Sequence, residues 1–153
     1  MLLPKRGGAG MRRISDVLRE EHRPIEDSLD ALQSAIAGGG DVAGLLRSCA
    51  DLARAHYERE ARFLECLASY EPAVTRKLRG QHEEAIEMAA LFDEAIKAGQ
   101  SRDATVLARK FHAIAQHNII EEERDVFPLT ERCFSAVEQG KLLDAWDRST
   151  DGA

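Results

Sequence analysis

Aromatic residues make up only 5% of this 153-residue chain, against 44% hydrophobic residues overall. A chain so poor in rings and rich in Ala, Leu, Glu and Arg favours helix over strand. No apolar run reaches transmembrane length. Met1 to Gly10, which carries Lys5 and Arg6, has no apolar stretch that could serve as a signal peptide. The expectation is a soluble, cytoplasmic protein with no membrane partner. Cysteine is scarce too: Cys49, Cys66 and Cys133 are odd in number and show no C-x-x-C spacing. That excludes a disulfide framework as the organising principle and fits a reducing compartment. Cys49, on the same helical face as His56 two turns away, reads as a buried, inert thiol. No basic tract offsets the net charge of −6, which argues against a nucleic-acid partner. Low-complexity sequence is absent as well.

What is present is helical periodicity. The length fits one domain with a real core. Residues 1–11, with Gly7, Gly8 and Gly10, predict a disordered tail. A first helix is predicted from about Asp16 to Ala37, with Ser15 as its N-cap and a stripe of Leu18, His22, Ile25, Leu29, Leu32 and Ile36. Pro24 should bend it near His22, and Gly38-Gly39-Gly40 ends it. The second, about Asp41 to Ala68, presents Leu45, Cys49, Leu52, His56, Glu60, Phe63 and Leu67. Pro72 suits the first turn of the third, which runs to about Ala98 with Leu78, His82, Ala85, Ala89, Phe92 and Ile96. The fourth starts near Asp103 and carries Leu107, Phe111, Ile114, His117 and Glu121, until Pro128 kinks or ends it near Phe127. Residues 135–153 hold a short amphipathic helix with Val137, Leu142, Leu143 and Trp146, followed by a tail. The pattern predicts an all-α fold: an up-down-up-down antiparallel four-helix bundle over residues 12–134, with a short C-terminal fifth helix.

One chemical feature is written twice in this frame. His56-x-x-x-Glu60 and His117-x-x-x-Glu121 each stack an imidazole and a carboxylate on one helical face, because four residues make nearly a full turn. His22 and His82 lie on the other two helices. Short loops imply antiparallel neighbours, so distances from a shared loop should match. His22 lies 15 residues before Ala37 and His56 lies 15 after Asp41; His82 lies 16 before Ala98 and His117 lies 14 after Asp103. Height and phase together predict that six side chains meet in one layer. Polar groups gathered inside a bundle cost several kcal/mol each unless something compensates, and divalent cations would do so. A histidine and carboxylate set without thiolates suits iron, manganese or zinc rather than copper(I). Glu60 and Glu121 are the natural bridges. His22 and His56 would complete one ion, and His82 and His117 the other, leaving open positions for water, an oxo or hydroxo bridge, or a small ligand. His112, about 140° around the helix from His117, should face away from the metals in a surface or flank role. Tyr57 should pack between helices.

Glu21-His22-Arg23, His56-Tyr57-Glu58-Arg59-Glu60, Gln81-His82-Glu83-Glu84 and His117-Asn118-Ile119-Ile120-Glu121, followed by Glu122-Glu123-Arg124-Asp125-Val126-Phe127-Pro128, resemble the hemerythrin-like family, also called the HHE cation-binding domain. The resemblance covers about Ile14 to Phe134. It implies a non-heme di-iron centre, with an oxo or hydroxo bridge, Glu60 and Glu121 as bridging carboxylates, and His22, His56, His82 and His117 as terminal ligands; manganese or zinc would fit the same set. Oxygen-carrying members have a second histidine four residues after that of the third helix, where this chain has Ile86. They also have an aspartate five residues after the last histidine, whereas Glu121 is four after. The chain therefore looks closer to a four-histidine, two-glutamate branch, associated with iron or oxygen sensing, nitric oxide response and repair of iron centres. The implied function is binding of a small diatomic ligand, dioxygen or nitric oxide, in sensing, storage or stress protection, rather than enzymatic turnover. The alternatives are repair of iron centres or turnover of peroxide or nitric oxide, and an iron-dependent regulatory module with an unspecified protein partner.

Overall fold

A computed structural model describes residues 12–151. Four long helices account for most of them: α1 (Ile14–Gly38), α2 (Val42–Ala68), α3 (Pro72–Lys97) and α4 (Ser101–Glu121). The helical backbone runs on from α4 through a π-helical turn, Glu122–Val126, into α5 (Phe127–Cys133), and α6 (Ala136–Asp151) closes the described chain. No strand occurs among the described residues. The predicted tail, residues 1–11, lies outside them.

Connections of three residues, 39–41, 69–71 and 98–100, force antiparallel neighbours. The first four helices close into a ring in which α1 packs on α2 and α4, and α3 on α2 and α4. Local chemistry sets the ends. Gly39 adopts φ 81°, left-handed backbone that costs glycine little, and its N–H reaches the Ala35 carbonyl. Asp41 caps α2 by accepting from the Gly44 N–H. Pro72 opens α3, where its missing donor is harmless. Ser15 is not the N-cap of α1: the helix starts at Ile14, whose N–H donates to the buried Gln139 side chain of α6 at 3.0 Å. The C-terminal helix thereby supplies the cap that the local sequence does not.

Two apolar clusters fill the bundle. One contains Leu32, Leu46, Ala53, Ala89, Phe92 and Phe111. The other contains Leu18, Phe63, Leu67, Leu78, Phe127 and Trp146. Burying each large side chain contributes on the order of 1.5–3 kcal/mol. Between the clusters α1, α2, α3 and the π turn after α4 place polar residues: His22 after Leu18, His56 and Glu60 before Phe63, His82 after Leu78, and Glu122 before Val126.

Alanines decide which way α4 faces. Its buried residues are Ala104, Ala108, Phe111, His112, Ala115, Asn118, Ile119 and Glu121, followed by Glu122 and Val126 in the π turn. Leu107 and Ile114, expected in the stripe, are only partly buried. Small side chains on α4 face Ala85, Ala89 and Ala95 of α3, letting the two backbones approach closely. Leu52 and Ile96, also expected inside, are 41% and 40% exposed, with Ala53 and Ala95 buried beside them. Val137 of α6 is 68% exposed and takes no part in capping the bundle.

Pro128 neither ends nor interrupts the helical path. Proline offers no N–H, and its ring crowds the carbonyl four residues back. A wider turn relieves that crowding, and the Phe127 N–H accordingly reaches five residues back, to the Glu122 carbonyl.

Candidate metal centre

The polar layer gathers His22, His56, Glu60, His82 and Glu122, of which His82, at 7%, is the most exposed. His22 Nε2 lies 3.0 Å from Glu122 Oε1, and His56 Nε2 lies 3.1 Å from Glu60 Oε2 and 3.9 Å from Glu122 Oε1. On the opposite side, His82 Nε2 is 3.1 Å from Glu122 Oε2 and 3.4 Å from Glu60 Oε1. Glu122 therefore turns one oxygen to His22 and His56 and the other to His82, and Glu60 turns one to His56 and the other to His82. His22, His56, Glu60 and Glu122 each offer one ligand atom within 4.8 Å of the other three, a group that could hold a metal ion.

An outer ring of carboxylates orients the imidazoles. His22 Nδ1 donates to Glu123 Oε2 at 2.9 Å, and His56 Nδ1 to Glu21 Oε1 at 2.8 Å. Both rings thus present Nε2 to the centre, the arrangement that fixes tautomer and orientation in metal-ligating histidines. Arg59 forks onto both oxygens of Glu21 at 3.0 and 2.7 Å. Tyr57 stacks on His82 with ring centroids 3.8 Å apart and planes 9° from parallel. Tyr57 packs between helices as expected, and burial raises its phenol pKa.

Without a cation the layer is electrostatically tense. Burial, followed by the charge of Glu122, raises the Glu60 pKa. Burial also acts to raise that of Glu122, yet hydrogen bonds from His22 and His82, with the nearby charge of His56, overcome it and hold the carboxyl well below its ordinary range. For His22 and His56 burial works downward and is the largest single effect, but the surrounding glutamates outweigh it and raise both. The upward shifts of the histidines favour positive charge in the place a cation would take. The match is imperfect, because His56 Nε2 and both oxygens of Glu60 are buried without a hydrogen-bond partner. Lone pairs converging on shared space with no donor to satisfy them are what a divalent cation requires, so the residues present fit a metal.

His22, His56, Glu60 and His82 of the expected set meet in this layer; His117 and Glu121 do not join them. The His117 side chain is 60% exposed and lies 2.8 Å from Glu121 Oε1. Both oxygens of Glu121 are engaged elsewhere, Oε1 also by Lys77 at 3.0 Å and Oε2 by Gln81 at 2.6 Å. The physical reason is the rotation of α4 onto its alanine face, which moves the inward positions on by one residue: Asn118 replaces His117, and Glu122 replaces Glu121. Two signals in the sequence mark Glu122. It lies five residues after His117, the spacing at which oxygen-carrying relatives have their carboxylate, and Asn118-x-x-x-Glu122 repeats the interval of His56-x-x-x-Glu60. His112 does face away from the layer, but it is buried rather than on the surface, with burial lowering its pKa. All three cysteines are free. Cys49 is buried, and that burial pushes its thiol up to about 11.

A helical bundle with a buried histidine and carboxylate layer between two apolar clusters defines a cation-binding bundle protein. The model of the hemerythrin HHE cation-binding domain matches residues 13–130, and the chain belongs to that family. Comparison with curated proteins and with solved structures yields no match. No described helix is long and apolar enough to cross a membrane.

Proposed function

We propose that the chain is a non-heme iron protein holding two ions between His22, His56, Glu60, His82 and Glu122, and binding a small diatomic ligand, dioxygen or nitric oxide. The observation that carries this reading is the division of the Glu60 and Glu122 oxygens between the His22–His56 side and His82. A carboxylate placed so can bridge two cations. Bound iron would supply open coordination positions and one-electron chemistry for such a ligand. Around it the chain's residues orient and insulate: Glu21 and Glu123 fix His56 and His22, while Phe63 and Phe127 on one side and Ala85 and Ile119 on the other exclude water. Sensing, storage or stress protection follows from binding without turnover.

The test is anaerobic reconstitution with excess ferrous iron, followed by metal analysis and optical spectra before and after air or nitric oxide. Two irons per chain, with new near-ultraviolet bands on exposure, are expected. No bound iron, or a single zinc in its place, would sink the reading. Sustained consumption of peroxide or nitric oxide with a reductant present would move the protein to the enzyme class.

A further inference from the structure

The two halves of the layer are not equivalent. Beside His22 and His56 the donor set is complete at four residues, two of them imidazoles. Beside His82 there is one imidazole and one oxygen each from Glu60 and Glu122. His117 is directed to solvent, and Ile86, one turn after His82, lines a groove instead of offering a donor.

Asn118 is the remaining buried polar side chain of α4 near this half. It lies one turn before Glu122, is 1% exposed, and its Oδ1 has no hydrogen-bond partner. Its orientation is dictated by its neighbours. Gln81 Nε2 donates to Glu121 Oε2 at 2.6 Å, so Gln81 Oε1 is an acceptor. Asn118 must then present its Nδ2 to that oxygen, at 2.8 Å, which leaves Oδ1 as the free acceptor. Gln81 and His82 both belong to α3, so this bond holds Asn118 against the helix that carries His82. A buried amide oxygen left without a donor is unfavourable, and amide oxygens are competent ligands for hard cations.

Access differs as well. A groove of about 600 Å³ runs between α2 and α3, with Tyr57, Ala61, His82, Ile86 and Ala90 along it. Neither His22 nor His56 borders that groove.

We propose that this chain has two unequal metal positions: a tight one at His22 and His56, and a weaker, exchangeable one at His82, completed by the Asn118 amide oxygen and opening onto the groove. The inference rests on the proposed metal reading. It adds that ligand exchange belongs to the His82 side, and that Asn118 sets the affinity of that position.

The experiment is anaerobic titration of the metal-free full chain with ferrous iron alone, followed by dialysis and metal analysis. Two binding steps are expected, the second weaker by roughly tenfold or more, with one ion per chain retained after dialysis. Changes around a metal site shift affinity about 10–100-fold. Asn118→Ala should therefore weaken the second step by about that factor and leave the first unchanged. Asn118→His should strengthen the second, and Asn118→Asp, which keeps the shape and an oxygen donor, should preserve it if the alanine variant folds poorly. Two equal steps in the wild type would overturn the proposal. So would a second step insensitive to Asn118→Ala in a folded variant. Failure of the wild type to bind any ion would instead remove the metal reading itself.

Discussion

Trp146 and Glu21, 125 residues apart, meet at the edge of the polar layer, where the indole Nε1–H donates to Glu21 Oε2 at 3.1 Å. The other oxygen of Glu21 accepts from His56 Nδ1 at 2.8 Å. Docking of the C-terminal helix and orientation of a layer histidine thus share one carboxylate. Burial alone would raise the Glu21 pKa, but hydrogen bonds from His56 and Arg59 and their charges bring it to about 2. Trp146→Phe keeps the ring area and removes the donor. It should lower stability by about 1.5–3 kcal/mol, the range for hydrogen bonds to charged groups. Glu21→Gln should weaken metal binding by ~10-fold or more. Thermal melts of the metal-free chain and metal titrations check the pair, and unchanged metal affinity in Glu21→Gln would refute the orienting role.

Glu121 and Glu122 are adjacent in sequence and opposite in environment. Glu122 faces three histidines, while Glu121 is spent on Lys77, Gln81 and His117. Glu122→Ala should therefore abolish binding of at least one ion. Glu121→Ala and His117→Ala should retain the wild-type metal content. Metal analysis of the three variants decides the matter, and the reverse ranking would restore the pairing of His117 with Glu121.

Removing the metal should invert the pH dependence of stability. In the metal-free chain His22 and His56 titrate above their ordinary value of 6.5. A raised histidine contributes stability that is fully present below 6.5 and is lost as pH rises through its folded value. Glu122, depressed from 4.5, contributes stability above 4.5 that is lost as pH falls. The metal-free protein should accordingly be most stable between about pH 4.5 and 6.5 and weaken towards alkaline pH. In the loaded protein protons compete with the cation for the same nitrogens, so acid releases metal and destabilises. Melting temperatures of both forms from pH 5 to 9 check this; parallel trends would count against a shared site for protons and metal.

The alanine face of α4 makes a separate prediction. Ala108 is fully buried, opposite a helix that also presents alanines. Ala108→Leu should cost about 1–3 kcal/mol by overpacking. Leu107→Ala, at a partly buried position, should cost less than the 2–5 kcal/mol typical of a core leucine. Chemical denaturation of the two variants compares them, and the opposite order would mean that α4 faces inward through Leu107.

Much of the bundle was legible in one dimension. Helix boundaries followed from Gly38-Gly39-Gly40 and Pro72, and four of the expected ligands, His22, His56, Glu60 and His82, came together because helical phase and distance from a loop are both properties of residue number. The phase of α4 was not legible in the same way. Its apolar residues allow two stripes through Phe111, one through Leu107 and Ile114 and one through Ala108 and Ala115. Residue size favours the first, whereas close approach to the alanines of α3 selects the second, and that choice depends on the partner helix. Hidden in the same way was the π turn before Pro128, a backbone response to one missing donor and one crowded ring.

By itself the sequence determined an all-α bundle with three histidines and a glutamate at one height, because periodicity and loop position are local. Tertiary structure alone decided that Glu122 and not Glu121 completes the layer, that Asn118 stands on the inner face, and that Trp146 reaches Glu21. Each of those outcomes turns on how two helices rotate against each other, and rotation is settled by the shapes that meet.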